Sequence, residues 1–409
     1  MSILSPGGTR STNFMSQGQR RLTARGPMLV LVSALALSAI CLKILPAPFV
    51  WLLWGWAAAC FAGAWYLKVG FSRVVLFNAA VLLALVAIVE TYLTCREQQR
   101  PLYSDGYYTD DDLLGNVPAK STQGHSREVE KGRVVYDVTY TVDSNGLRIA
   151  PSSEGAAQSV LFFGCSFTYG EGLQDTETMP YQVGLQTRGH YQTYNFGFHG
   201  YAPNQMLAEI EGGRVHEIVR QPAAFAIYQA LPDHIPRIAG KIPYGKHNPR
   251  YELKADGTVQ RVGHFDDGIA PPTALALRIR GQLGKSAIYR TLTSIEPRMN
   301  ENDVRLLLAT VGKSRDLLAE QYPGIEFHVI LWRNFPYEQH VYEELQAGFA
   351  RMNIPVHRVE DILPGYNTSP EKYWLDPKDQ HPNANADRII ATYIANNVLS
   401  RHAVSDANR

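Results

Sequence analysis

Three apolar runs lie close together near the N-terminus, at residues 28–45, 49–67 and 74–93. Each run is close to the roughly 20 residues that an α-helix needs to cross the hydrocarbon core of a bilayer. A cleaved signal peptide has a single short apolar core, and helices buried in a soluble domain usually carry a polar stripe. Glu90 lies within a turn of the end of the third run, where its side chain is expected to reach the headgroups. The sequence therefore predicts three transmembrane helices over residues 28–95.

The charges that flank these runs predict how the chain crosses the membrane. The leader, residues 1–27, carries four arginines and no acidic residue, and Lys68 and Arg73 lie between the second and third runs. Lysine and arginine close to membrane spans favour the cytoplasmic side. We therefore expect an integral protein of the inner (cytoplasmic) membrane, with its N-terminus inside. Everything after about residue 95 is then periplasmic, or extracytoplasmic in another cell type.

The region after the third run alternates short apolar stretches with helical patterns. Continuous apolar stretches are typical of strands buried in a parallel sheet, whose two faces are covered by the intervening helices. The strand-like stretches are residues 159–163, 191–196, 223–228, 325–332 and 354–359, and the helical patterns are residues 303–322, 337–352 and 384–399. This alternation predicts an α/β fold, a three-layer sandwich around a parallel sheet.

The predicted sandwich occupies residues 158–402, with a tail at residues 403–409. Before it, residues 96–157 are expected to form a linker with β elements, because residues 133–142 are rich in β-branched and aromatic side chains.

One stretch, residues 243–294, breaks the alternation of strands and helices. A hairpin is expected around Asp256 and a helix after Pro272. We interpret this stretch as an insertion that lies over the sheet, either as one wall of a substrate cleft or as a surface decoration.

Net charge and cysteine content argue against several classes of function. The formal net charge is +1, so no bulk field favours the binding of nucleic acid. The four cysteines show neither the spacing of a metal site nor a disulfide framework. Neither a metal ion nor an organic cofactor is implied.

The most informative motif is the segment Gly164-Cys165-Ser166, which directly follows the apolar stretch 159–163. In parallel sheets, active sites lie beyond the carboxyl ends of the strands. A serine at the start of the next helix faces a cleft there, and its own N–H can donate to a developing oxyanion. Ser166 is therefore the candidate nucleophile, and Cys165 is interpreted as a buried packing residue.

A serine nucleophile needs a general base, normally a histidine that a carboxylate orients. Near the C-terminus, Asp379 and His381 lie in the segment Asp-Gln-His-Pro-Asn, and Asn383 or Asn385 is suited to cap the helix that follows. We interpret His381 as the base and Asp379 as the carboxylate that orients it.

These blocks, in this order, resemble the SGNH (GDSL-type) hydrolase family, in particular a bacterial, membrane-anchored subgroup. The first block of the family is Gly-Asp-Ser or a variant, which the segment ending at Ser166 fits with cysteine in place of aspartate. The second block carries an asparagine and, five residues later, a glycine, which fits Asn195 and Gly200. The resemblance covers roughly residues 110–399 and implies an SGNH/flavodoxin-like sandwich. It also implies that Gly200 donates an oxyanion N–H, with Gly197 as the alternative.

Two positions depart from the pattern of the family. The family often places its aspartate three residues before the histidine, where this chain has Lys378, so Asp379 is assigned the role and Asp376 is the alternative. The third block normally supplies an asparagine that completes the oxyanion hole, and the corresponding segment of this chain has none. Gln229 or a protonated His234 is left as the donor.

The resemblance implies a serine esterase or acyltransferase that forms an acyl-enzyme. Ser166 and Gly200 are expected to hold the oxyanion with Gln229 as the third donor, and Asn195 and His234 are assigned to substrate binding. The expected substrate is an acylated extracytoplasmic polysaccharide, glycan or lipid. A transferase would also need a multi-span membrane partner that delivers acyl groups. The alternative is a catalytically silent glycan-binding or assembly component of a membrane complex.

Overall fold

A computed structural model describes residues 33–34, 36–38, 40–42, 45, 48–66, 70–96, 102–153, 155–242, 244–268, 271–293, 299–333 and 339–399. The chain divides into two compact units. The first unit comprises Met1–Glu97 and Ala270–Ile295, and the second comprises Gln98–Ile269 and Glu296–Arg409.

The helices and strands are numbered along the chain. The helices are α1 (Pro48–Tyr66), α2 (Phe71–Arg96), α3 (Ser166–Tyr169), α4 (Met179–Gln186), α5 (Pro203–Glu211), α6 (Arg214–Ile218), α7 (His234–Ile238), α8 (Pro271–Leu283), α9 (Ala287–Thr293), α10 (Glu301–Gln321), α11 (Gln339–Arg351), α12 (Val359–Ile362) and α13 (Ala384–Tyr393). The strands are β1 (Leu102–Tyr103), β2 (Tyr108–Asp111), β3 (Gly115–Pro118), β4 (Gln123–Glu130), β5 (Arg133–Thr141), β6 (Gln158–Phe163), β7 (Tyr191–Asn195), β8 (Ala223–Ala230), β9 (Pro249–Leu253), β10 (Val259–His264), β11 (Glu326–Leu331), β12 (Val356–Arg358), β13 (Trp374–Asp376) and β14 (Asp379–Pro382). Short 3₁₀ turns form over Asp175–Glu177 and Pro370–Tyr373, and a π-helical turn over Ile394–Leu399 follows α13.

Helices α1 and α2 of the first unit are the two described helices that are long and apolar enough to cross a membrane. They pack against each other, and the indole N–H of Trp54 donates to the hydroxyl of Thr91 at 3.2 Å. The first predicted span, residues 28–45, lies largely outside the described residues, so a third transmembrane helix stays a prediction. The residues described within that run are mostly helical.

Helices α8 and α9 belong to the same unit as the apolar helices. The carboxylate of Glu90 in α2 is buried and accepts hydrogen bonds from the Ser286 hydroxyl (2.8 Å) and from the backbone N–H groups of Ala287 (2.7 Å) and Ile288 (3.0 Å). The expectation that Glu90 reaches headgroups is wrong, because the first turn of α9 supplies the donors that a buried carboxylate needs.

The predicted insertion over residues 243–294 is divided between the two units: its hairpin, β9–β10, belongs to the second unit and its helices to the first.

The second unit is built around a five-stranded parallel sheet in the order β12-β11-β8-β6-β7. Successive side chains of β6 enter opposite cores, with Val160 and Phe162 in one and Leu161 and Phe163 in the other. Helices α4 and α13 contribute to the first core, and α5, α10 and α11 contribute to the second. Both faces of the sheet are thus buried under helices, which confirms the predicted α/β sandwich.

A separate antiparallel sheet, in the order β1-β4-β5, precedes the parallel one. Strand β5 coincides closely with the strand predicted over residues 133–142. Its alternate residues Tyr136, Val138 and Tyr140 are buried in the same core as α4 and α13. Residues 96–157, predicted as a linker with β elements, therefore contribute side chains to the core of the second unit.

Candidate active site

A tight turn at the carboxyl end of β6 positions Ser166. Gly164 adopts a φ of +152°, and a Cβ at this position would lie 2.2 Å from the Thr168 hydroxyl oxygen. That hydroxyl donates to the carbonyl of Phe163 at 3.2 Å and so closes the turn. A glycine is required here because both the backbone angle and the close approach of Thr168 exclude a side chain. Ser166 is then the first residue of α3, and the N–H of a first helical residue has no acceptor within the helix.

His381 lies in the hairpin formed by β13 and β14. Its Nε2 is 2.8 Å from the Ser166 hydroxyl oxygen, and its Nδ1 is 2.5 Å from Oδ1 of Asp379. The same oxygen accepts the backbone N–H of His381 at 3.0 Å. Residues two apart in a strand share one face, so the extended backbone of β14 brings both side chains to the same place. The structure thus joins Ser166, His381 and Asp379 in one hydrogen-bonded chain.

The pKa shifts of His381 and Asp379 favour the transfer of a proton from Ser166 to His381. Burial opposes a charge on His381, but the charge and hydrogen bond of Asp379 outweigh it and raise the pKa of His381 above its ordinary value. Burial also opposes the charge on Asp379, and its partnership with His381 outweighs this effect and lowers the pKa of Asp379. His381 remains 26% exposed, so its ring is open to a substrate. The arrangement can accept a proton from Ser166 and stabilise the imidazolium that results.

Asp376, the alternative orienting residue, lies opposite Asp379 in the same hairpin. Its carboxylate pairs with the guanidinium of Arg133 and accepts the backbone N–H of Lys378 at 3.1 Å. The carboxylate that contacts His381 is that of Asp379.

Ser166 and His381 open onto a cavity of about 790 Å³. The cavity is lined by Tyr103, Tyr107, Tyr108, Asn116, Glu128, Ser166, Glu171, Phe198, His199, Gly200, Arg237, Tyr244, Gly245, Asn248, Lys378, Asp379 and His381. Every lining residue belongs to the second unit, and aromatic rings supply much of the wall.

The two candidate oxyanion glycines occupy different positions. Gly200 lines the cavity and has a φ of +73°. Gly197 packs against the nucleophile turn, where a Cβ would lie 2.7 Å from Cβ of Thr168 and 3.0 Å from the carbonyl oxygen of Cys165. Of the two, Gly200 is the one among the described lining residues of the cavity.

Asn195, predicted to bind substrate, is buried at the end of β7. Its side-chain N–H donates to the carbonyl of Thr168 at 3.0 Å, and its Oδ1 accepts the N–H of Gly197 at 3.1 Å. The residue therefore ties the nucleophile helix to the loop that carries Gly200, and it is absent from the described lining of the cavity.

Gln229 and His234, predicted as oxyanion and substrate-binding residues, are both fully buried. Oε1 of Gln229 accepts the indole N–H of Trp332 at 2.5 Å, and Nδ1 of His234 lies 2.5 Å from the Tyr228 hydroxyl. Burial, with a further contribution from Arg237, holds the pKa of His234 well below its ordinary value, so the ring is neutral at pH 7. Neither residue is among the described residues that line the cavity.

Sequence reasoning missed a buried carboxylate on the cavity wall, Glu171, five residues after Ser166. It accepts hydrogen bonds from the hydroxyls of Tyr103 (2.7 Å) and Tyr136 (2.9 Å), and its other carboxylate oxygen lies against Nδ1 of His199. Burial opposes its charge, but His199 and the other partners outweigh burial and lower the pKa of Glu171 to about 2. The antiparallel sheet is thereby fastened to the segment that follows the nucleophile. The dense tyrosines of residues 103–140 were the signal available in the sequence.

Comparison with known proteins gives similarity in structure only. No protein-family model and no curated protein matches the chain. Among solved structures, a protein described as lipolytic and of the G-D-S-L family, from Desulfitobacterium hafniense DCB-2, is 13% identical over 58% of this chain and 98% of its own, with a TM-score of 0.31. The carbohydrate acetylesterase Est24 from Sinorhizobium meliloti is 12% identical over 60% and 99%, with a TM-score of 0.29. The aryl esterase of M. smegmatis is 12% identical over 60% and 99%, with a TM-score of 0.32.

Proposed function

We propose that this chain is a membrane-anchored serine esterase or acyltransferase of the SGNH type, which acts on O-acyl groups through an acyl-enzyme. The observation that carries the proposal is the hydrogen-bonded chain from Ser166 through His381 to Asp379 at the mouth of a cavity. A serine with this geometry is activated as a nucleophile towards esters.

In the proposed mechanism, His381 takes the proton of Ser166 as its Oγ attacks the ester carbonyl. Asp379 holds the imidazole in the tautomer that presents an unprotonated Nε2 to the serine, and it stabilises the imidazolium. The backbone N–H groups of Ser166 and Gly200 donate to the oxyanion. His381 then protonates the leaving alcohol. The acyl group is finally transferred to water in a hydrolase, or to an acceptor hydroxyl in a transferase.

The wall of the cavity supports a substrate with both apolar and polar surfaces. Tyrosine and phenylalanine rings present apolar faces, with polar hydroxyl groups on the tyrosines. Asn116, Asn248 and Lys378 add hydrogen-bonding groups to the same wall. We infer an acylated glycan, polysaccharide or lipid as the substrate class, and a transferase would need a separate membrane protein that delivers acyl groups.

The two apolar helices α1 and α2 support an anchor in the membrane. Large apolar side chains on both helices face outward, among them Trp51, Trp65, Phe71 and Leu82, as expected for surfaces in contact with lipid. The basic leader supports the N-inside orientation. An extracytoplasmic site also requires the third span predicted over residues 28–45, because only an odd number of spans places the catalytic unit on the side opposite the N-terminus.

A fluorophosphonate probe tests the catalytic part of the proposal, because it reacts with activated serines. We expect the full-length protein in detergent micelles to be labelled, and we expect mass spectrometry of the labelled peptides to place the adduct on Ser166. The Ser166→Ala variant should not be labelled. Absence of labelling in folded wild-type protein would support a catalytically silent glycan-binding component instead, and an adduct on another residue would refute the assignment of the nucleophile.

The raised pKa of His381 predicts how activity depends on pH. Only the neutral imidazole can accept the serine proton, so kcat/KM should rise with pH as His381 deprotonates. Because Asp379 raises the pKa of His381, the midpoint of this rise should lie above the ordinary histidine value of 6.5. The measurement is kcat/KM for p-nitrophenyl acetate from about pH 5 to 9, corrected for uncatalysed hydrolysis. A midpoint at or below the ordinary value would contradict the proposed coupling.

A further inference from the structure

The oxyanion hole of the proposed mechanism has two backbone donors, at Ser166 and Gly200. Side-chain donors at this position add a large share of catalysis, since removal of one typically costs about 10²–10³ in kcat. Gln229 and His234 are buried and do not belong to the described lining of the cavity. A side-chain donor on the described wall of the cavity would lie next to the two backbone donors.

Arg237, in α7, meets this condition. It lines the cavity together with Ser166 and Gly200. Its Nη1 donates to the carbonyl of Tyr201, the residue after Gly200, at 3.0 Å. Burial opposes the charge of the guanidinium, but nearby groups, among them Tyr244 and Cys165, the residue before Ser166, outweigh it and raise the pKa of Arg237. The side chain is thus held beside Gly200 by the carbonyl of the next residue, and it lies near the residue that precedes Ser166.

The chemistry of a guanidinium fits an oxyanion at this place. It carries five N–H donors in a rigid fork, so the bond to Tyr201 leaves donors for a further partner. Its positive charge strengthens a hydrogen bond to a developing negative charge. Helix α7 follows β8, and the segment after this strand corresponds to the block in which the family normally supplies its asparagine.

We propose that Arg237 is the third oxyanion donor of this enzyme and takes the place of the missing asparagine; the proposal rests on the proposed esterase function. As the Ser166 oxygen bonds to the carbonyl carbon, the carbonyl π electrons move to oxygen and the serine proton moves to His381. Arg237 keeps its proton and donates to that oxygen. When the carbonyl re-forms, the bond to the leaving oxygen breaks and His381 protonates it.

Kinetics with a neutral ester test this role. For full-length Arg237→Gln acting on p-nitrophenyl acetate, we expect kcat to fall about 10²–10³-fold with little change in KM, because the lost interaction forms mainly in the transition state. Arg237→Lys, which keeps the charge without the fork, should lose less. Arg250→Gln is a matched control, because Arg250 is exposed, pairs with Glu252 and does not line this cavity. Thermal unfolding of each variant confirms that it is folded.

The pH profile gives a second readout, which reports whether the charge of Arg237 acts on the catalytic histidine. The groups that act on His381 are Asp379 and Glu171, which raise its pKa, and Arg237, which lowers it. Removal of the cation in Arg237→Gln should therefore shift the acidic limb of kcat/KM to higher pH, whereas Arg250→Gln should leave it in place.

Several results would overturn the role of Arg237. One is a wild-type kcat in folded Arg237→Gln. Another is a loss confined to KM, or to esters that carry an anionic group, which would make Arg237 a residue that recognises substrate charge. A third is a large loss of kcat in Gln229→Leu without one in Arg237→Gln, which would make Gln229 the donor. Failure of the wild type itself to hydrolyse the ester or to react with a fluorophosphonate would refute the proposed function instead.

Discussion

The Ser166→Ala variant is expected to hydrolyse p-nitrophenyl acetate roughly 10⁴–10⁶-fold more slowly than the wild type in kcat. The substitution removes the atom that forms the acyl-enzyme, so His381 and Asp379 have no nucleophile to activate. Residual turnover would come from the oxyanion donors and from substrate binding, which act without the serine. The measurement is steady-state hydrolysis by the purified full-length protein, at a pH where His381 is neutral.

Ser144→Ala is the matched control for this experiment. Ser144 is an exposed serine in a turn of the same unit, so its loss should leave kcat unchanged. Cys165→Ala separates the serine from the neighbouring thiol: Cys165 is buried, and the variant should keep a fluorophosphonate-reactive Ser166. If Ser166→Ala retained more than about a hundredth of wild-type kcat, the acyl-enzyme mechanism would be wrong.

The main features of the site could be predicted because they depend on local patterns and on chain order. A strand followed by Gly-Cys-Ser predicts a serine at the carboxyl end of a parallel strand, and Ser166 lies there. The predicted helix cap is also present, since Oδ1 of Asn383 accepts the N–H of Ala386 at 3.1 Å. These features need only the few residues that form them, so a single sequence suffices.

Features that depend on distant partners could not be predicted in the same way. Glu171 is charged in a buried site because tyrosines and His199 surround it, and Tyr103 lies 68 positions away along the chain. No periodicity or spacing in a single sequence reports such a contact. Glu90 is a similar case, since its donors in α9 lie almost 200 positions later. Gln229 lies near the end of β8, where the sequence predicts an oxyanion donor, but its side chain faces Trp332 in the interior.

The backbone conformation of the segment from Asp379 to His381 determines whether the aspartate can contact the histidine. Asp379 and His381 lie just before the last helix, α13, in a short strand, β14, over Asp379–Pro382. In a strand, residues two apart project on one face, so a spacing of two suits an aspartate that must contact a histidine. The departure from the more common spacing of three is therefore compatible with the same function, through an extended backbone.

Asp379→Asn is accordingly expected to lower kcat about 10⁴-fold, a loss of the size seen when a triad aspartate becomes an amide. The carboxylate only accepts a hydrogen bond from Nδ1–H, whereas the amide can donate its own N–H to an unprotonated Nδ1. The amide therefore favours the wrong tautomer and leaves the imidazolium without a countercharge. The pKa of His381 should also fall, because the group that raises it is removed. Kinetics and the pH profile of kcat/KM with p-nitrophenyl acetate measure both effects.

Asp376→Asn is a close control, because the two aspartates face each other across one hairpin and both are buried. Its carboxylate pairs with Arg133, whose side chain is 62% exposed, and does not contact His381, so the loss should weaken a half-exposed ion pair and leave kcat near the wild-type value. Equal losses of kcat in both variants, with the fold intact, would mean that the hairpin as a whole positions His381. A large loss only in Asp376→Asn would reverse the assignment. A large loss only in Asp379→Asn would establish that the contact at Nδ1 of His381 is the one that catalysis requires.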